Sequence, residues 1–446
     1  MLIAGGAIVT GDNTKPIPEG YVLVRDGRIV DVGSGPGPPS QDDEFIDAAA
    51  QIVLPGIVNT HAHGCVEGPF VPVGSPALAK SRVQAELDRH LYGGETTVLC
   101  VCGFCLPREI DGSHSVRTCL ATSHTPANFS AADLVDGRGL SSRHRTMTVE
   151  RALEDGAVAI GEIGAGHSLG GGGQDYLYIP NVIEQATGVR LRPDQARQLK
   201  WAILGRTLSR DAFDAKQTAN CLHTLGLSGK LQVSQARQFI ENSVLPSVAT
   251  TLQGFEEAAA LSAQTGARAV LHTSPVSVGI IAKLAKKYPG AKLVAAHANQ
   301  SDFQTDEALE WARRLRDLGV TIDISTWDIP GKAIQASPDN FLQMLAADVV
   351  DTVSTDYAGG EWEPILKGLA LAIKAGAVSL AAAVALATAN PARLFPALAP
   401  NRGLLAPGKI GDIVLVDAED IGNVRTVIIG GKIVVRNGVG IGETPR

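Results

Sequence analysis

The sequence lacks the features that are typical of membrane, secreted and nucleic-acid-binding proteins. No apolar stretch is both long enough and free enough of charge to cross a bilayer, and no basic segment precedes the apolar residues of the N-terminus. The 39 basic residues, against 46 acidic ones, form no long run that would attract a phosphate backbone. The six cysteines are too unevenly spaced for a disulfide framework. We therefore expect a globular cytoplasmic protein that binds neither nucleic acid nor membrane.

Both ends of the chain carry short β segments with turn signals between them. One predicted hairpin turns at Asp26-Gly27 and another at Gly430-Gly431. Two similar β segments that flank a different middle favour one small domain built from both termini. We predict that this composite β-sandwich domain consists of residues 1–56 and 398–446.

The middle of the chain, residues 57–397, alternates helical stretches with short apolar runs. This alternation is typical of βα units around a parallel sheet, and we predict an α/β fold with a (β/α)8 TIM barrel. In a recurring unit, a helix ends at Gly156, Gly266 or Gly290, and a short, mostly apolar run then leads to a polar residue. Residues from about 168 to 245 break this rhythm with helical patterns. They predict a helical insertion after strand 4, which would cover the site or form a contact in a homo-oligomer.

Six residues with metal-binding side chains stand at or just past the ends of predicted strands: His61, His63, Glu162, His272, His297 and Asp356. In a barrel all strands end at the same face, so this fold would bring the six side chains to one mouth. Imidazole nitrogens and carboxylate oxygens bind divalent metals, and a carboxylate with two oxygens can bridge a pair of ions. A single member of the set would also fit an ordinary polar strand end, or for Asp356 a helix N-cap. The set as a whole favours a two-ion centre.

These motifs resemble those of the amidohydrolase superfamily. Its members share an H-x-H motif after strand one, single histidines after strands five and six, and an aspartate after strand eight. The chain reads LPGIVNTHAHG, VLHTSP, VAAHANQ and STDYAGG at these places. Its segment GLLAPGKIGDIVLVD also resembles the strand with which superfamily members re-enter their terminal β domain.

The residue expected to bridge the ions distinguishes this chain within the superfamily. Two-ion members commonly use a carboxylated lysine after strand four, but no lysine occurs here between Lys80 and Lys200. Glu162, in AIGEIGAG, stands at that place and is an anion without needing carbon dioxide. Among the subgroups, this arrangement most resembles the enamidases, which open a cyclic enamide and carry a bridging glutamate.

The resemblance implies a ligand set, a reaction and several alternatives. His61, His63 and Asp356 would bind one divalent ion, His272 and His297 the second, with Glu162 bridging; zinc is the first choice, and iron, manganese or cobalt are alternatives. A metal-activated hydroxide would hydrolyse the C–N bond of a small-molecule amide or cyclic amide of the lactam or enamide type, with Asp356 as the catalytic proton carrier. The alternatives are an N-acyl amino acid hydrolase or dipeptidase, a mononuclear deaminase, and a non-catalytic barrel scaffold.

Further polar residues near these motifs are weaker candidates for substrate contact. They are His167, Thr273, Ser274, Asn299 and Cys102. Polar loop residues are common, so each also fits a structural part. Cys100, Cys102 and Cys105 in TTVLCVCGFC would lie near the same mouth, either as metal ligands or as small apolar residues of a strand.

Overall fold

The computed structural model describes residues 1–38, 44–326, 336–356 and 363–441. The STDYAGG motif and the predicted C-terminal β segment therefore extend, after Asp356 and after Ile441, beyond the described residues. The strands are β1 (Leu2–Ile8), β2 (Ile17–Arg25), β3 (Arg28–Ser34), β4 (Phe45–Asp47), β5 (Gln51–Pro55), β6 (Ile57–Ala62), β7 (Glu95–Cys100), β8 (Arg117–Thr122), β9 (Ala159–Ile163), β10 (Arg268–His272), β11 (Lys292–Ala296), β12 (Thr321–Ser325), β13 (Thr352–Ser354), β14 (Ile413–Asp417), β15 (Val424–Ile429), β16 (Lys432–Arg436) and β17 (Val439–Gly440).

Helices follow most strands of the middle region. They are α1 (Lys80–Tyr92), α2 (Pro126–Val135), α3 (Ser142–Arg145), α4 (Val149–Glu154), α5 (Ile179–Thr187), α6 (Pro193–Leu204), α7 (Ala215–Thr224), α8 (Val233–Val244), α9 (Val248–Thr265), α10 (Val278–Lys287), α11 (Thr305–Asp317), α12 (Pro338–Ala346), α13 (Ile365–Lys374), α14 (Leu380–Ala387) and α15 (Ala389–Leu394). None of the helices in the described ranges is long and apolar enough to pass through a membrane.

Strands from the two ends of the chain form one nine-stranded sheet, which confirms the small composite β domain. The N-terminal and C-terminal parts meet where β5 pairs antiparallel with β14. Both predicted hairpins are present, with turns at Asp26-Gly27 and Gly430-Gly431. All four turn residues have positive φ, between 49° and 77°, as two-residue hairpin turns require.

The other eight strands, β6 to β13, form the predicted parallel barrel in chain order. The seam between β13 and β6 is closed by the residues that follow β13. Asp356 donates its backbone N–H to the carbonyl oxygen of His61 at 2.9 Å, and Asn59 Nδ2 donates to Thr355 Oγ1 at 2.8 Å. The barrel therefore closes beside two of the predicted site residues.

The predicted helix stops are correct at two of three glycines. Gly266 ends α9 in the left-handed conformation, with φ of 74°, and β10 follows it directly. Gly156 closes the turn after α4 with φ of 110°, ahead of β9. Near Gly290 the prediction is wrong in detail, because α10 already ends at Lys287 and Tyr288 follows as its cap.

The predicted helical insertion lies between β9 and β10 and contains α5 to α8. It has an apolar core of its own, which includes Ile183, Leu199 and Ile240. Arg197 on α6 pairs with Asp175 at 2.8 Å, within the turn that precedes α5, and with Asp302 at 3.2 Å, in the loop after β11. The ion pair between Arg197 and Asp302 therefore connects the insertion to the barrel close to His297. Whether it also forms a subunit contact stays a prediction.

Candidate metal centre

The structure brings all six predicted ligand residues together at the carboxyl end of the barrel. They come from five strands: β6 carries His61 and leads into His63, β9 carries Glu162, β10 ends at His272, and His297 and Asp356 follow β11 and β13. Each of the six is at most 8% exposed. Parallel strands that end at one face explain how residues almost 300 positions apart in the chain become neighbours.

Glu162 lies between two pairs of histidines and presents one carboxylate oxygen to each pair. Its Oε1 is 3.1 Å from His272 Nδ1 and 2.9 Å from His297 Nε2. Its Oε2 is 3.6 Å from His61 Nε2 and 3.4 Å from His63 Nε2. A single carboxylate thus serves two sets of nitrogen atoms.

Asp356 completes the side of the centre that contains the H-x-H motif. Its Oδ1 is 3.3 Å from His61 Nε2 and 3.9 Å from His63 Nε2. The backbone of Asp356 has φ of 49° and that of His297 has φ of 39°. Non-glycine residues in this left-handed region carry strain, and such residues cluster at functional sites.

The nitrogen and oxygen atoms of the centre are spaced as ligands around an ion, and several of them have no hydrogen-bond partner. Ligand atoms bound about 2.1 Å from a tetrahedral ion lie about 3.4 Å from one another, which matches the distances from His61 and His63 to the carboxylates. Among the described residues, both ring nitrogens of His61 and Nδ1 of His63 are buried without a hydrogen-bond partner. At the centre, ligand atoms lie within 4.8 Å of one another in three groups, which are His61–His63–Glu162, His61–His297–Asp356 and Glu162–His272–His297. The residues therefore fit a pair of divalent ions.

Burial and neighbouring charges act in opposite directions on the pKa values of the ionisable groups at the centre. Burial raises the pKa of Glu162, but the neighbouring His61, His272 and His297 outweigh it and hold that pKa well below its usual value. Burial lowers the pKa of His61, yet Glu162 and Asp356 outweigh it and raise that pKa to about 10. The buried carboxylates are therefore stable as anions only with positive charge nearby, which metal ions can supply.

Comparison with known proteins agrees with this arrangement. Residues 287–434, which include His297 and Asp356, match the model of the amidohydrolase family. The imidazolonepropionase of Mycolicibacterium smegmatis is 25% identical over 336 residues, which are 74% of this chain and 75% of that protein. The matches support the amidohydrolase superfamily.

Solved structures share the fold of this amidohydrolase-like chain over its whole length. The L-hydantoinase of Arthrobacter aurescens aligns with a TM-score of 0.58 at 13% identity, covering 99% of this chain and 97% of that one. The N-acyl-D-glutamate deacylase of Bordetella bronchiseptica, solved with zinc and a phosphonate inhibitor, aligns with a TM-score of 0.53 at 18% identity, covering 97% and 96%. Both confirm the predicted barrel with its added β domain.

Gln300 is a residue of the centre that the sequence analysis missed. Its Nε2 lies 3.3 Å from His272 Nε2 and 3.4 Å from His297 Nδ1, the nitrogens on the far side of these rings from Glu162. Its Oε1 is buried and has no partner within the described part of the chain. One carboxamide thus contacts both histidines of the second pair. The only signal for Gln300 in the sequence was its position three residues after His297.

Asp323 is a second missed residue, and it organises three strands that carry the centre. Its carboxylate accepts hydrogen bonds from Thr60 Oγ1 at 3.2 Å, Thr352 Oγ1 at 2.8 Å and Ser354 Oγ at 2.8 Å, and from the backbone N–H of His297 at 3.3 Å. Burial raises the pKa of this carboxyl despite these bonds. An aspartate between the two isoleucines of strand β12 was the available signal.

The weaker candidates lie nearby with their polar atoms largely occupied. Thr273 Oγ1 donates to the Leu271 carbonyl at 3.1 Å, and Ser274 Oγ donates to that of Leu169 at 2.9 Å. The amide of Asn299 pairs with both backbone groups of Ser325. These bonds give the three side chains a structural part, and their contact with substrate stays a prediction.

His167 and Cys102 are the two remaining weaker candidates. His167 is partly buried and lines a cleft of about 330 Å³ together with Tyr178 and Asn242. Burial, with a smaller effect of His63, lowers the pKa of His167 to about 4. Cys102 is buried, and its Sγ accepts the backbone N–H of Gly64 at 3.3 Å. The cleft at His167 is bordered by residues of the insertion, and none of the six candidate ligands lines it.

Proposed function

We propose that the chain is a binuclear metal-dependent hydrolase that cleaves the C–N bond of a small amide, with a cyclic amide of the lactam or enamide type as its preferred substrate class. The observation that carries this proposal is the position of Glu162. Each of its oxygens faces a different pair of histidines, as a carboxylate that bridges two ions must do.

The resemblance to the amidohydrolase superfamily implies two ligand sets. His61, His63 and Asp356 would hold one ion and His272 and His297 the other, with Glu162 shared, and the distances from His61 to Asp356 and from Glu162 to both pairs of histidines support this division. Such imidazole and carboxylate sets accept zinc, iron, manganese and cobalt, and zinc is our first choice. The zinc in the related deacylase structure supports this choice.

The chain's own residues would perform the remaining chemistry. Bound divalent ions lower the pKa of water and polarise a carbonyl group. Asp356 Oδ1 would take the proton of the attacking water and later deliver it to the leaving nitrogen, so that water is added across the C–N bond. Because the six residues are almost fully buried, bulk water is excluded and the electrostatic interactions at the centre are strengthened.

Glu162 and the comparisons together favour a cyclic amide. The bridging glutamate is the feature shared with the enamidase-like subgroup, and the L-hydantoinase neighbour is named for a ring that contains amide bonds. The N-acyl-D-glutamate deacylase neighbour keeps hydrolysis of linear N-acyl amino acids as the second candidate. A panel of lactams and cyclic imides, assayed beside linear N-acyl amino acids and dipeptides, distinguishes the two candidates.

Metal analysis of the purified full-length protein tests the two-ion centre. We expect close to two divalent ions per chain, and we expect Glu162→Ala to lose metal and activity together. Glu184→Ala, on the surface helix α5, is the matched control and should keep both. Full activity of a metal-free preparation would contradict the proposed function.

A further inference from the structure

Three sulfur atoms beside the candidate centre form a group that the proposed reaction does not use. Cys100 ends β7, and Cys102 and Cys105 follow in a C-x-x-C spacing. Their Sγ atoms all lie within 4.8 Å of one another, and the three residues are at most 3% exposed. Two cysteines at this spacing can bind one metal ion from a single turn.

The turn that holds these sulfurs is built from residues that permit no bulkier side chain. Phe104 donates its backbone N–H to the Cys102 carbonyl at 3.0 Å and so tightens the turn. Gly103 has φ of 80°, and a Cβ added there would lie 2.1 Å from Ser123 Oγ. A Cβ added at Gly68 would lie 2.9 Å from Cys105 Sγ. The backbone of Gly68 therefore lies close to Cys105 Sγ, and the turn at Gly103 has no room for a larger side chain.

The hydrogen bonds of these sulfurs also distinguish the group from cysteines that only fill apolar space in a core. The backbone N–H of Gly64 donates to Cys102 Sγ at 3.3 Å, and the thiol of Cys105 donates to the Pro69 carbonyl at 3.3 Å. The Gly64 donor directed at Cys102 Sγ stabilises negative charge there, which a coordinating thiolate carries, whereas Cys105 would give up the proton that it donates to Pro69 when it coordinates. Cys65 lies outside the group of three sulfurs that are within 4.8 Å of one another, and its Sγ contacts the His63 carbonyl at 3.5 Å and His90 Nε2 at 3.6 Å.

We propose that Cys100, Cys102 and Cys105 form a site for one thiophilic metal ion, such as Cd²⁺, Zn²⁺ or Cu⁺, separate from the imidazole and carboxylate centre. Soft sulfur ligands select such ions, whereas histidines and carboxylates also accept harder ones. Each sulfur that coordinates gives up its proton to solvent, so binding strengthens as the pH rises. Three sulfurs are one ligand fewer than an iron–sulfur cluster needs.

Cadmium titration of the metal-free, full-length protein under anaerobic reducing conditions tests the site. We expect the ultraviolet charge-transfer absorption of thiolate–cadmium bonds, saturating at a single ion per chain. Cys102→Ala and Cys105→Ala should each lose it, with Cys102→Ser as a second variant of nearly unchanged volume. Cys119→Ala and Cys221→Ala, at buried cysteines outside the group, are matched controls and should retain the full absorption.

Glu162→Ala separates this site from the proposed function. Because that variant removes the bridging carboxylate, it should lose the two-ion centre and still show the thiolate–cadmium absorption. Absence of the absorption in folded wild-type protein at saturating cadmium would overturn the proposal. So would absorption that survives in both Cys102→Ala and Cys105→Ala, or absorption that disappears in Glu162→Ala while circular dichroism shows the variant to be folded.

Discussion

Asp356 and His61, which belong to the last and the first strand regions of the barrel, are joined by two contacts at once. The backbone N–H of Asp356 donates to the carbonyl of His61 at 2.9 Å, and the two side chains lie 3.3 Å apart at Oδ1 and Nε2. The bond that closes the seam therefore also sets the distance between two candidate ligands. Movement at the seam would change the geometry of the centre directly.

Asp356→Asn tests the part of this residue in proton transfer. The asparagine keeps an oxygen for the ion but takes up no proton at neutral pH, so we expect kcat to fall by about a hundredfold to about ten-thousandfold. Metal content should stay close to that of the wild type. Asp348→Asn, at an exposed position that also has positive φ, is the control. A variant with bound metal and nearly wild-type kcat would show that another group carries the proton.

Gln300→Leu tests whether this residue positions the second pair of histidines. When His272 and His297 bind an ion through the nitrogens that face Glu162, their opposite nitrogens carry protons and need an acceptor. A half-turn of the Gln300 carboxamide places its unpartnered Oε1 beside both. We therefore expect the affinity for one of the two ions to fall about 10- to 100-fold, measured by competition with a chelator.

Two further variants make the Gln300 prediction specific. Gln300→Glu retains an acceptor oxygen and should restore most of the affinity. Gln343→Leu, on the exposed face of α12, should leave it unchanged. Equal loss of affinity in the leucine and glutamate variants would mean that Gln300 acts through packing alone.

His124 makes the stability of the protein sensitive to acid. The ring is buried and packs edge-on against both Phe104 and Phe129, and this burial lowers its pKa from 6.5 to about 4. The unfolded chain therefore takes up a proton, as the pH falls from about 6.5 to about 4, that the folded chain does not bind. The contribution of neutral His124 is complete above this window and is lost through it, by about 2 kcal/mol between about pH 7 and about pH 5.

His124→Phe removes this proton while keeping an aromatic ring against the two phenylalanines. Its unfolding free energy should fall less than that of the wild type between the same two pH values, measured by urea denaturation. His223→Gln, at an exposed position on α7, is the matched control. If His124→Phe and the wild type lose the same stability over this interval, the acid sensitivity comes from other groups.

The candidate ligands could be predicted because their chemistry is local to each strand end. His272 and Glu162 each follow a run of apolar residues, and parallel strands of a barrel deliver such positions to one face whatever their separation in the chain. The amidohydrolase resemblance then added the expected pairing. Metal identity, substrate and the enamidase-like assignment stay proposals, since no local pattern encodes them.

Residues that act through partners on other strands could not be predicted in the same way. Asp323 matters because Thr60 on β6 and Ser354 on β13 direct hydroxyl groups at it, and this arrangement is visible only in the folded barrel. The strand β8 also escaped prediction, because its sequence RTCLAT contains an arginine and two threonines in place of a continuous apolar run. In both cases contacts with other parts of the fold, and not the local sequence, determine the structure.

The insertion buries apolar residues of its own and contacts the loop after β11 through the ion pairs of Arg197. A segment with its own core can exchange outward-facing side chains without repacking the strands that carry the metal ligands. The candidate centre and the surface of the insertion can therefore diverge at different rates during evolution. For an engineer, the outward-facing positions of the insertion are those where substitutions would least disturb the candidate centre.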